Sequence, residues 1–286
     1  MQIVHEITES SSASQKLFNA AHVYSSLNRK MIEPVDSQGN AQAFALNVKV
    51  YSEAANTATF ETASNSYVTK QAVKAWHRVW KQKLTDAGVS MKDLGPYGRV
   101  FKPRLQATES LLGSAAETGR GEWNYSDIVT VPGVSVVGNY GLESEDVVDQ
   151  YSLHLIGSST DDSSDETRKF TSVGMIESWL GSRKQMIGND SDSVPESLAF
   201  DQDNPLLLAR GGDLTSEMML DEVRDLQKDE PPYDNQDFDG LYTQGKATSN
   251  ANLMAQCDII APCGLVRVTT TAACTLIFTL VGIGDM

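Results

Sequence analysis

In AFALNVKVY (43–51) the apolar positions Phe44, Leu46, Val48 and Val50 alternate with Ala45, Asn47, Lys49 and Tyr51. A period of two is that of a half-buried strand. NTATFETA (56–63) follows after a short turn and is expected to be its hairpin partner. QYSLHLIGS (150–158) alternates again, with Tyr151, Leu153 and Leu155 on one face, so His154 is expected on the outer face, exposed or at a subunit contact. DIVTVPGVSVVG (127–138) reads as two short strands broken at Pro132-Gly133, and QIVHEIT (2–8) as an N-terminal strand. The strongest β region closes the chain. There NLMAQCDIIAP (252–262), GLVRVTTT (264–271) and CTLIFTLVGIG (274–284) read as a meander rich in threonine and branched aliphatics.

Helical spacing is clearest from Ser66 to Ala87. Val68, Ala72, Val73, Trp76, Val79, Trp80 and Leu84 form one apolar stripe, while Lys70, Lys74, Arg78 and Lys81 line another face. Ser64, Asn65 or Ser66 can cap this helix, and Gly88 stops it. Weaker helical patterns cover 172–186, 214–228 and 15–29.

Eight to ten strands interrupted by helical insertions point to an all-β fold with inserted helices. The expectation is a single elaborated jelly-roll β-sandwich over residues 1–286, with helices near 66–87, 172–186 and 214–228. The alternative, a double jelly roll, needs about twice as many strands as the pattern supplies. Phe44, Leu46, Val48, Leu153, Leu155, Leu276, Phe278 and Leu280 are expected to face inward between the two sheets, and Trp76 and Trp80 to be buried against a sheet.

Charge changes this picture because it is segregated. The chain carries 23 Lys and Arg against 38 Asp and Glu, a net charge of -15. Residues 70–104 hold nine Lys or Arg against two Asp, whereas 143–239 hold twenty-four acids against seven bases. An acidic chain is a poor non-specific coat for nucleic acid. The basic face of the 66–87 helix is therefore expected to point away from the core, toward an acidic neighbour in preference to packaged nucleic acid or an anionic membrane. Lys70, Lys74, Arg78 and Lys81 are the interface or genome-facing candidates.

Catalytic signatures are few. His5, His22, His77 and His154 are scattered without an HxH or HExxH pair, and no GxSxG, GxxxxGK[ST] or GxGxxG stretch occurs. Cys257, Cys263 and Cys274 lack CxxC spacing and read as buried, reduced thiols. In NQDFDG (235–240), Asn235, Asp237 and Asp239 match the opening of an EF-hand loop, but Lys246 stands where the bidentate glutamate belongs. They remain candidate ligands for calcium; no other cofactor or metal is expected, nor an enzyme activity. MQIVHEITESSS lacks the charged and apolar regions of a secretory signal, and the longest apolar stretch, 272–283, is too short to span a bilayer.

KAWHRVWKQKLTDAG…GPYGRVFKPRL (74–105), YSLHLIGSS…SVGMIESWLGSR (151–183), DEVRDLQKDEPPYDNQDFDG (221–240) and GLVRVTTTAACTLIFTLVGIGDM (264–286) together resemble major capsid proteins of small icosahedral viruses, including single-stranded DNA viruses of environmental origin. The resemblance implies a jelly-roll protein without an active site, which self-assembles into an icosahedral shell. The implied setting is a virion assembled in host cytoplasm, with copies of itself, minor capsid proteins and packaged nucleic acid or an internal membrane as partners. Residues 1–40 depart from the basic genome-binding arm of many such proteins, holding only Lys16, Arg29 and Lys30. The rival expectation is a carbohydrate-binding, lectin-like β-sandwich.

Overall fold

A computed structural model describes residues 1–9, 15–107, 112, 123–130, 149–160, 171–184 and 241–286. Its strands are β1 (Val4–Glu9), β2 (Gln15–Asn19), β3 (Gln42–Tyr51), β4 (Asn56–Ala63), β5 (Asp127–Thr130), β6 (Asp149–His154), β7 (Ser172–Gly174), β8 (Leu241–Ser249), β9 (Met254–Pro262), β10 (Leu265–Thr270) and β11 (Cys274–Asp285). The helices are α1 (Ala20–Asn28), α2 (Tyr67–Asp86), the single turn α3 (Gly95–Gly98) and α4 (Met175–Lys184).

Two four-stranded antiparallel sheets form a β-sandwich with few helices. One has the order β1-β11-β3-β9 and the other β2-β10-β4-β8. Alternation decides which side chains enter it. Phe44, Leu46, Val48 and Val50 of β3 and Leu276, Phe278 and Leu280 of β11 are buried in one cluster with Phe18, Phe60, Val266 and Val268 of the facing sheet. The Phe18 and Phe278 rings stack with centroids 3.8 Å apart, and Phe60 meets Phe278 edge-on at 6.4 Å. Helix α1 closes one end of this core with Ala20, Ala21, Val23 and Tyr24, and the Tyr24 hydroxyl donates to the Phe278 carbonyl at 3.0 Å.

Sheet membership differs from the sequence expectation. β3 and β4 are no hairpin: β3 pairs with β11 and β9, while β4 pairs with β10 and β8. Nor do β9, β10 and β11 make a meander, since β9 and β11 belong to one sheet and β10 to the other. At the β9–β10 corner Cys263 (φ 55°) and Gly264 (φ 73°) take left-handed conformations, turning the chain across the sandwich. Gly264 is also constrained by space, because a Cβ there would stand 3.0 Å from the Ala21 nitrogen.

Helix expectations need two adjustments. Residues 15–29 divide into β2 and α1, with Asn19 extended (φ -107°) and its side chain accepting from the His22 nitrogen. Leu17 and Phe18 are both buried, in different clusters, so β2 is covered on both faces and loses the alternation that marks a strand. The 172–186 pattern begins as β7 and becomes helical at Met175. β8 carries no apolar alternation and goes unmarked in the sequence; its pairing with β4 makes it a strand. The 214–228 helix, residues 131–138 and the candidate calcium ligands Asn235, Asp237 and Asp239 lie outside the described residues.

A second core lies beside the sandwich. Helices α2 and α4 and the small sheet β5-β6-β7, all from the stretch between β4 and β8, share it with Leu17, Val35, Ala41 and Leu265. Leu153 and Leu155 are fully buried here, away from the space between the two large sheets. His154 between them is buried too, at 1% exposure, because β6 is covered on both faces. The expected exposure of this histidine does not hold.

Phe278→Ala should cost about 3–5 kcal/mol, since the ring fills the center of the aromatic stack. Val281→Ala, on an exposed side chain of the same strand, should stay within about 0.5 kcal/mol. Urea denaturation of the two variants checks the contrast.

Candidate functional site

Helix α2 starts where the sequence indicates. Ser66 is extended (φ -123°, ψ 165°), and its hydroxyl accepts from the Thr69 nitrogen at 3.5 Å, which satisfies one of the free N–H groups of the first turn. Ser64 reinforces this end through contacts of 2.8 Å to Ser66 and 3.1 Å to Thr69. Gly88 (φ 71°) ends the helix, its N–H donating to the Thr85 carbonyl. The apolar stripe is buried as expected, with Leu84 packed at its margin. Trp76 and Trp80 belong to the second core, and the Trp80 ring packs on Phe101 at 5.6 Å.

The basic face divides into two pairs. Lys74 donates to the Asn40 side chain at 3.4 Å and Lys81 to the Ser37 carbonyl at 3.2 Å. Both are engaged by one turn of the same chain, whereas the sequence leads one to expect only a partner or water there. Lys70 is half-buried and Arg78 exposed, and neither forms an ion pair among the described residues.

That turn, 36–40, is organised by Asp36. Its carboxylate accepts from the backbone nitrogens of Gln38 and Asn40 at 2.8 and 2.7 Å, and from the Asn40 amide at 2.8 Å. Burial alone would raise its pKa, yet these hydrogen bonds outweigh it and hold the carboxyl below its ordinary range. Asp36 acts on α2 through its charge near His77, while Lys74 and Lys81 meet the neutral Asn40 side chain and the Ser37 carbonyl of its turn. The loops of 143–239, where the sequence concentrates its acids, are mostly outside the described residues.

Between turn and helix sits His77, which sequence reasoning left among the scattered histidines. It is 3% exposed and packs against Trp80 and Phe101 at ring separations of 6.0 and 5.8 Å. Its helical position, one residue after Trp76, was the available signal. Burial pushes its pKa down to about 4; Lys81 adds to the effect, Asp36 opposes it and Arg78 contributes a little more. His154 is also pushed down to about 4, chiefly by burial and against its hydrogen bond to the Ser158 carbonyl. Both rings are therefore neutral packing elements near pH 7.

No group of three His, Cys, Asp or Glu side chains is placed to hold a metal ion among the described residues. Cys263 and Cys274 are buried and Cys257 half-buried, all reduced, and burial raises the thiol pKa of each. The outer face of the β1-β11-β3-β9 sheet is different in kind. Exposed Val281 (70%) and Ile260 stand there near the small residues Ala43, Ala45, Gly282 and Gly284, and exposed Met254 lies at the other end of β9, opposite Tyr51. Comparison with known proteins returns nothing: no family model, no curated protein and no solved structure matches the chain.

Two outcomes follow from His77. The unfolded-state pKa of both buried histidines exceeds the folded one, so the unfolded chain binds more protons between pH about 6.5 and about 4. Stability should be fully present above that window and fall as the pH drops through it, by up to about 1.4 kcal/mol per pH unit per histidine. His77→Gln should flatten the slope in urea melts taken across the window. Separately, Gly39 has φ 89°, and an added Cβ would lie 2.6 Å from the His77 ring nitrogen. Gly39→Ala should cost about 1–3 kcal/mol in the same melts.

Proposed function

We propose that the chain is a shell-forming structural protein, a jelly roll whose biochemical role is association with copies of itself. The carrying observation is the nesting of the eight sandwich strands. In chain order, the first pairs with the eighth, the second with the seventh, the third with the sixth and the fourth with the fifth. The eighth also pairs with the third and the seventh with the fourth. A long antiparallel hairpin rolled up on itself has this order, and capsid and lectin domains are common uses of the architecture.

Two further features favour a shell over a sugar-binding module. Four segments of the chain resemble small-virus capsid proteins, as described above. The outer face of the β1-β11-β3-β9 sheet also exposes apolar side chains beside small ones, which lets another copy approach the backbone closely. Lateral packing around symmetry axes would proceed through heterologous contacts, the same two surfaces meeting at each step of a closed ring. Lys70 and Arg78 are the cations of α2 left for such a contact. Lys74 and Lys81 serve mainly to hold the 36–40 turn.

Size-exclusion chromatography with negative-stain microscopy tests this reading. The expected species are oligomers of roughly three, five or six copies, or closed particles. A protein that stays monomeric at high concentration across a range of salt overturns the proposal, and sugar binding by that monomer would point to the lectin-like alternative. The double variant Lys70→Glu/Arg78→Glu should impair particle assembly while leaving the monomer folded by circular dichroism. Particles that form normally but contain no nucleic acid would reassign this face of α2 to the genome.

A further inference from the structure

A cavity of about 630 Å³ opens where the C-terminal end of α1, the second half of α2 and the segments 97–102 and 123–127 converge. Its volume lies within the range of small-molecule sites. The cations on its wall are Arg29, Lys30 and Lys102. Among the described residues none of the three pairs with a carboxylate. The acid on the wall, Asp127, is 3.7 Å from Arg104 and so faces a cation already.

Lys102 is the unusual member. It is only 7% exposed, and its ammonium has the Trp123 ring, 5.1 Å away, as its charge-compensating contact. The backbone fixes it in place. Its N–H donates to the Ser126 hydroxyl and its carbonyl accepts from the Ser126 N–H, both at 2.9 Å. Burial lowers the ammonium's pKa, the expected response of a cation taken out of water. An ammonium on a largely buried side chain, with no anion facing it among the described residues, is costly in a resting protein, and a bound anion would relieve that cost.

Aromatic rings complete the wall. Trp80, Tyr97, Trp123 and Tyr125 line it; His22 stacks on Trp123 with centroids 5.0 Å apart. Tyr97 is 59% exposed and stacks on no other ring among the described residues. Arg29, exposed, is the left-handed C-cap of α1 (φ 49°), its N–H donating to the Ser26 carbonyl, so the end of the helix fixes its backbone on the cavity wall. A neutral sugar would use the rings and leave Lys102 uncompensated. Inorganic phosphate would use the cations and leave Tyr97 idle.

We infer that this cavity is a binding site for a nucleoside phosphate, its phosphate held by Lys102, Arg29 and Lys30 and its base stacked on Tyr97. A phosphate monoester brings about two negative charges to three cations. Stacking on an aromatic side chain tolerates any base, so the site selects the class of ligand more than the base. The ligand is either a free nucleotide or one unit of a single strand. The inference is independent of the shell reading, because every residue that forms the site belongs to one copy.

Tryptophan fluorescence titration of the full chain tests it, with deoxyadenosine monophosphate, adenosine and inorganic phosphate as probes. The monophosphate should bind at least about tenfold more tightly than either fragment. Lys102→Met should weaken it by about tenfold or more, and Tyr97→Ala should weaken it several-fold while leaving phosphate affinity unchanged. Arg29→Ser, at an exposed position, gives a second test of the phosphate contact should Lys102→Met fail to fold. A single-stranded DNA decamer that displaces the monophosphate identifies the strand as the source, and failure to displace it identifies the free nucleotide; both support the site. Equal affinity for phosphate and monophosphate, no effect of either cation substitution, or no binding of the monophosphate overturns the proposal.

Discussion

Strand β11 is the constraint on which the sandwich depends. It lies between β1, at the start of the chain, and β3; β3 pairs with it from Thr275 to Asp285, and β1 pairs with its first half, Cys274 to Thr279. Buried backbone N–H and C=O groups must be paired, and only a strand in this place satisfies those of both neighbours. The same residues carry the packing. Phe278 joins the two sheets through its stack on Phe18, and its carbonyl receives the Tyr24 hydroxyl from α1. The first and last strands therefore complete one another, a pairing of very high sequence separation that makes folding slow relative to local topologies.

Helix α2 joins the sandwich to what is built beside it. Its apolar stripe contributes to a core shared with β2, β10, α4 and the small sheet, and its polar side holds the Asp36 turn through Lys74 and Lys81. His77 lies where these two functions meet, neutral and buried against Trp80 and Phe101. Its position explains why Gly39 must be glycine: the turn closes directly on the ring. Two cations of the basic stretch thus have partners within the same chain.

The two functional proposals use different surfaces. Association would engage the open face of the β1-β11-β3-β9 sheet with Lys70 and Arg78 of α2, which form no ion pair among the described residues. The cavity proposed for a nucleoside phosphate is concave, lined by α1, α2 and two connecting segments, and holds the largely buried Lys102 side chain. One copy could fill its cavity whether or not it stands in a shell. The physical requirements also differ, since association needs shape and apolar area whereas the cavity needs charge compensation.

What the sequence determined by itself was local. Alternation placed β3, β4 and β11 and chose their inward faces, because a strand with one wet face must alternate. Serine caps, helical spacing and Gly88 placed α2 within a residue or two. Where an element is covered on both faces, as β2 is, or is a mostly exposed edge, as β8 is, the pattern vanishes and so did the signal; β6 keeps an alternation that reveals the strand, but not that His154 on its other face is buried as well. Tertiary structure alone decided sheet membership. Alternation reports that a strand has a buried face but not which sheet it joins, so β3 and β4 looked like a hairpin while lying in opposite sheets. It also assembled the cavity, whose cations lie at 29, 30 and 102 and whose rings at 80, 97, 123 and 125. Their spacing follows no helix or strand period, because different elements bring them together.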